Sequence, residues 1–133
     1  MSGFDSTALA LRLAELADAK GAADIVVLDM RKLVSYTDFL AICTARNERQ
    51  AKAIVDEARL GLKRDRGLLP GGTDGEGSAG WIVLDYLDAV LHVFTAEARE
   101  RYQLEDLWRE APRVDAGLAQ NAVRGHLYGA AHG

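Results

Sequence analysis

The chain has 133 residues, of which 49% are hydrophobic, with a formal charge of −4 and a single cysteine. That length fits one domain, in which folding buries roughly two thirds of the surface an unfolded chain exposes. The acidic balance argues against a protein that holds nucleic acid mainly by neutralising phosphates, which needs concentrated Lys and Arg, and Cys43 alone allows no internal disulfide.

The longest apolar runs, Ile25 to Leu28 and Ala89 to Leu91, are far short of the ~20 residues a membrane crossing needs. No basic, apolar and cleavable leader opens the chain, so a cytoplasmic location is expected. No CxxC or Cys/His cluster offers a metal site, no cofactor motif is present, and Cys43 reads as a buried structural thiol.

In chain order, Leu9, Leu13, Leu16 and Ala17 fall at helical spacing behind the candidate caps Asp5 and Ser6, predicting a helix as far as Lys20. Asp24 to Asp29 is a short β-branched run without polar interruption, a strand buried on both faces. A second strand is predicted over Phe39 to Thr44, with strand direction left open by the intervening MRKLVSYTD. Asn47 followed by Gln50 resembles a capping box and opens a helix with the stripe Ala51, Ile54, Val55, Ala58 and Leu62. Its basic end, Lys63, Arg64 and Arg66, suits the negative pole of the helix dipole.

The stretch LLPGGTDGEGSAG is expected to be loop. It lacks the phosphate-loop pattern and follows a helix rather than a strand. Trp81 to Tyr86 and Ala89 to Phe94 predict a hairpin. Because Leu87 is a poor residue for positive φ, a larger turn or a bulge is expected there. Thr95 caps a helix continuing towards Tyr102, and a short turn of helix around Glu105 to Trp108 stops at Pro112. Residues 1–114 are therefore expected to form the domain, and 115–133 a flexible tail. The order describes an α/β fold, a mixed sheet flanked by helices.

Charge is concentrated between Glu76 and Glu110, where eight acidic residues face three basic ones, a net −5, while the rest of the chain sums to +1. An acidic half of this kind suits a basic protein partner, and equally serves solubility alone. Asp85 and Asp88 are candidates for a metal-binding carboxylate pair. Their three-residue spacing across a turn is wrong for two acids projecting from one face of a strand, and no Gly-Ser turn precedes them. His92 is in phase with Val90 and Phe94 and reads as a hydrogen-bonded strand residue. Trp81, Tyr86, Phe94, Tyr102 and Trp108 cluster in the second half, where aromatics beside acids resemble a protein-binding surface, with at least half of them expected to be core.

Two blocks resemble the RsfS/Iojap family of ribosome-silencing factors. The first is DIVVLDMRKLVSYTDFLAICTARNERQAKAI. The second, WIVLDYLDAVLHVFTAEARERYQLEDLWREAP, carries the sharper match: Trp81, Leu84-Asp85-Tyr86, Asp88, His92-Val93-Phe94, Glu97, Arg99, Tyr102, Leu104-Glu105, Leu107-Trp108 and Ala111-Pro112. Departures are Phe39-Leu40 in place of Tyr-Phe, Leu87 in place of Gly, and a longer Gly-rich loop. The resemblance implies a nucleotidyltransferase-like fold without its active site. It further implies a non-catalytic protein that binds the large ribosomal subunit through ribosomal protein number fourteen and sterically blocks the small subunit. Direct nucleic acid contact is expected to be limited or absent, and a homodimer is open for the free protein.

The contacts expected on that basis are Trp81 and Tyr86 as aromatic anchors, His92 and Phe94 from the neighbouring strand, and Asp85, Asp88 and Glu97 towards basic groups. In a regular strand Trp81 and Asp85 point opposite to Leu84 and Tyr86, so one pair is core. The rival readings are a nucleotidyltransferase-like enzyme and an RNA-binding ribosome-assembly factor.

Overall fold

The computed structural model describes residues 5–75 and 80–118. The tail from residue 119 onward, with His126, Tyr128 and His132, and loop residues 76–79 lie outside the described residues.

The first helix, α1 (Ser6–Ala19), starts where the Asp5 carboxylate accepts the Ala8 N–H at 2.8 Å. It buries Leu9, Leu13, Leu16 and Ala17 together with Ala10 and Ala14, the stripe that the periodicity predicts. Strands β1 (Ala23–Asp29) and β2 (Phe39–Ala45) pair antiparallel, so the segment between them turns back rather than crossing the sheet. Helix α2 (Glu48–Arg66) is capped by Asn47, whose side chain accepts from Gln50 N at 2.8 Å. The Gln50 side chain departs from a capping box. It accepts from Arg46 N and donates to Lys20 O, tying the start of α2 to the end of α1. The helix ends at Gly67, in the left-handed region at φ 66°, where a side chain would be strained.

Within the expected loop lies a strand, β3 (Gly72–Asp74), paired antiparallel with β4 (Trp81–Asp85). Three residues are too few for a period to show in the sequence. Strand β5 (Ala89–Thr95) runs antiparallel to β4 and parallel to β2. Helices α3 (Ala96–Tyr102) and α4 (Leu104–Leu107) follow, and a two-residue strand, β6 (Arg113–Val114), pairs with β1. The sheet order is β3-β4-β5-β2-β1-β6. Leu118, past the expected boundary at Val114, is buried in the core beneath α1 and α2.

Both long helices pack on one face of the sheet, over Ile25, Val27, Phe39, Ala41, Cys43, Leu84, Leu91 and Val93. Cys43 is fully buried, and loss of hydration pushes its thiol up to about 12, which fits a structural rather than a reactive cysteine. The second face carries a smaller core of Leu28, Met30, Leu40, Ile42, Val90 and Phe94 under Ala98, Leu104 and Trp108. Arg99 clamps this side: its guanidinium donates to Asp24 O, Thr44 Oγ1 and Glu105 Oε1 at 2.6–2.8 Å, joining α3, α4 and the first two strands.

The β4–β5 turn corrects the sequence reading. Leu87 does take positive φ, at 69°, in a three-residue turn closed by Asp88 N donating to Tyr86 O. The Asp85 carboxylate holds it there by accepting Leu87 N–H at 2.7 Å, and Asp88 O accepts from Asp38 N and Phe39 N. The leucine side chain itself is 66% exposed.

Two stability measurements test this packing. Gly61 faces Leu16, whose Cδ2 lies 2.5 Å from where a Cβ would sit, so Gly61→Val should destabilise by about 1–3 kcal/mol in urea unfolding. Leu87→Gly should instead stabilise by about 1 kcal/mol through relief of the left-handed conformation; a lower unfolding midpoint would contradict that strain.

Candidate functional site

Alternation along β4 and β5 sorts the expected contact residues between the two faces. Leu84 and Tyr86 face the long helices: Leu84 is fully buried, Tyr86 is 8% exposed, and burial pushes the Tyr86 phenol up to about 12. Tyr86 is therefore core in this structure and does not reach the surface as an anchor. Trp81, Val83 and Asp85 face the other way, beside Val90, His92 and Phe94, because directly paired residues share a face. This is the face that α3 and α4 cover only in part.

Phe94 is likewise fully buried. It lies directly opposite Trp81, ring centroids 4.9 Å apart and nearly parallel, with Tyr102 over both at 4.6 and 6.3 Å. Its role is to support the indole from below. Trp81 is partly buried and Tyr102 is 48% exposed, so those two rings form the accessible part of the stack.

His92 sits diagonally from Trp81 with ring centroids 5.9 Å apart, and the indole Nε1–H donates to His92 Nδ1 at 3.1 Å. An indole nitrogen is a donor only, so Nδ1 must be the accepting nitrogen and the imidazole proton resides on Nε2. Burial lowers the His92 pKa from 6.5 to about 4, with the Asp85 carboxylate opposing the shift, so the ring is neutral near pH 7.

The acids occupy the ends of this ribbon. Asp85 and exposed Asp88 flank the turn, and exposed Glu97 stands at the start of α3, roughly 20 Å away along the strands. Glu97 pairs with Arg101 at 3.0 Å, an exposed contact that leaves it available to a partner. The Asp85 carboxylate is engaged by Leu87 N–H at the turn. Among the described residues, no group of three or more His, Cys, Asp or Glu side chains is placed to hold a metal ion.

The sheet thus brings Trp81, Asp85 and His92 onto one open face, sets Asp88 and Glu97 at its two ends, and takes Tyr86 and Phe94 inside. The expected set omitted Val83 and Tyr102. Val83 was accessible to reasoning, being two residues from Trp81 on the same strand face. Tyr102 stood among the clustered aromatics of the second half, but its meeting with Trp81 depends on how α3 folds back over β5.

Comparison with known proteins agrees with the resemblance. A family model described as ribosomal silencing factor during starvation matches residues 4–129. A ribosomal silencing factor of Haemophilus influenzae is 40% identical over 96 residues, covering 72% of this chain and 93% of the relative. One from Bacillus subtilis is 34% identical over 104 residues, or 78% and 87% of the two chains. The crystal structure of a Chromobacterium violaceum protein superposes with a TM-score of 0.75 at 28% identity, covering 79% of this chain and 87% of that one.

Neutral His92 makes stability sensitive to acid. The unfolded chain takes up a proton near 6.5 and the folded one only near 4, so stability should fall as pH drops through that interval. The carboxylates of Glu105 and Asp29, held down by hydrogen bonds from Arg99 and Arg31, add their losses only below their ordinary range. In His92→Gln the slope of unfolding free energy between about pH 6.5 and about pH 4.5 should flatten; an unchanged slope would show that another group carries it.

Proposed function

The chain belongs to the ribosomal silencing factor family, and we propose that it binds the large ribosomal subunit through ribosomal protein number fourteen, seated on the open β4–β5 face. The observation that carries this reading is the composition of that face. A neutral centre of Trp81, Val83 and His92, extended by Tyr102, has acids at both ends, which is the apolar middle and charged rim of a protein interface. A strongly basic protein meets complementary charge there, and Trp81 supplies the large rigid side chain that dominates such contacts.

The action is obstruction. A domain about 30 Å across, seated where the subunits must touch, keeps the small subunit away, and an interface of roughly 1,600 Å² is an ordinary size for that task. No catalytic step is needed, and the protein works in the cytoplasm, where the ribosomes are. Contact with ribosomal RNA is limited, and the free protein can cover the same face by pairing with a second copy.

Sedimentation with separated subunits tests the reading. The protein should travel with the large subunit alone and reduce joined ribosomes when the small subunit is added. Trp81→Ala should weaken binding by ~2 kcal/mol or more, about thirtyfold, while keeping native circular dichroism. Unchanged affinity would remove Trp81 from the contact, and a steep loss of binding with salt would favour an RNA partner instead.

A further inference from the structure

Resting on that docking reading, we propose that His92 offers the partner one neutral donor, its Nε2–H, held in place by Trp81, and that the group it takes is an uncharged hydrogen-bond acceptor, a carbonyl oxygen. The geometry fixes the tautomer. Trp81 Nε1–H occupies Nδ1 at 3.1 Å, so a proton there would clash with the indole proton, and only Nε2 is left to carry it. Nε2 makes no hydrogen bond to any described residue. Trp81 in turn packs against both Phe94 and Tyr102, so the imidazole is oriented before any partner arrives. Such preorganisation reduces the ordering cost of binding.

The surroundings choose the acceptor. On the face around His92, β4 contributes Asp85 and β3 contributes Asp74, which pairs with Val83; β2 contributes apolar Ile42, and α3 contributes the Tyr102 ring. No cation of these strands stands on this face beside the imidazole, the α3 cations Arg99 and Arg101 are paired with Glu105 and Glu97, and the ring itself is uncharged. A phosphate or carboxylate would approach two acids without compensating charge, whereas a carbonyl is drawn to a polarised N–H without that repulsion. Trp81 is thus a positioning residue for His92 as well as a contact.

The test uses the full chain labelled with nitrogen-15 and purified large subunits. The imidazole should show the Nε2-protonated form from about pH 5.5 to about pH 7.5, and wild-type affinity should be flat over that range. His92→Ala should bind roughly tenfold more weakly, while His92→Gln, which keeps an N–H donor at similar reach, should stay within about threefold. Trp81→Phe keeps an aromatic ring but frees Nδ1, so the nitrogen-15 shifts should show a mixture of the two neutral tautomers and binding should weaken, which a merely structural indole would not produce.

A proton on Nδ1, or full affinity in His92→Ala while wild type binds, overturns the donor role and leaves the docking reading standing. Tighter, more salt-sensitive binding by His92→Lys shows an anionic acceptor and overturns the carbonyl assignment. Failure of wild type itself to bind large subunits overturns the docking reading, and the proposal falls with it.

Discussion

The parallel pairing of β2 with β5 is the constraint from which the molecule's shape follows. Two parallel neighbours cannot be joined by a tight turn, so the chain must leave the sheet, cross it and return. Here the crossover carries α2 and the β3–β4 ribbon, and α2 lies against α1 on one face. With both long helices committed there, the opposite face has, among the described residues, only α3 and α4, seven and four residues long, to cover it. The part they do not reach is closed by side chains: Phe94 beneath, Trp81 across it and Tyr102 above. The candidate surface is what remains when a six-stranded sheet has too little helix for its second side.

Much of the acidity of the second half has internal work. Asp85 holds Leu87 in the turn, Glu105 holds Arg99 against the first two strands, and Glu97 pairs with Arg101. Arg99 has a side chain only 13% exposed, and its contacts with a main-chain carbonyl, a hydroxyl and a carboxylate show how one cation can anchor two short helices. The pairs Glu105–Arg99 and Glu97–Arg101 cancel acid against base one for one, so the net charge of this segment is carried by its other acids. What distinguishes the open face is the position of the acids at its ends around a neutral centre.

The elements most legible in the sequence were those whose forces are local. The α1 and α2 stripes, the Asp5, Asn47 and Thr95 caps and the strand pair of the second half all follow from spacing within a few residues. The short strands at the rims were not legible, because β3 and β6 exist only through their neighbours' hydrogen bonds. Leu87 was misread for a related reason: propensity disfavours positive φ, but Asp85 and the register of two strands outweigh it. In the site, alternation showed that Trp81 and Tyr86 must part company without saying which faced outward. That depended on the side chosen by helices tens of residues away, a long-range fact absent from a two-residue period.

The sheet's borders have a further meaning. β3 has three residues and β6 two, so among the described residues neither outermost strand presents a long row of unpaired amides and carbonyls. Another extended chain would find only a short template on either outermost strand, which limits fibrous stacking at high concentration. Recognition is thereby confined to side chains standing out from the plane, where shape and chemistry discriminate in a way that main-chain pairing cannot.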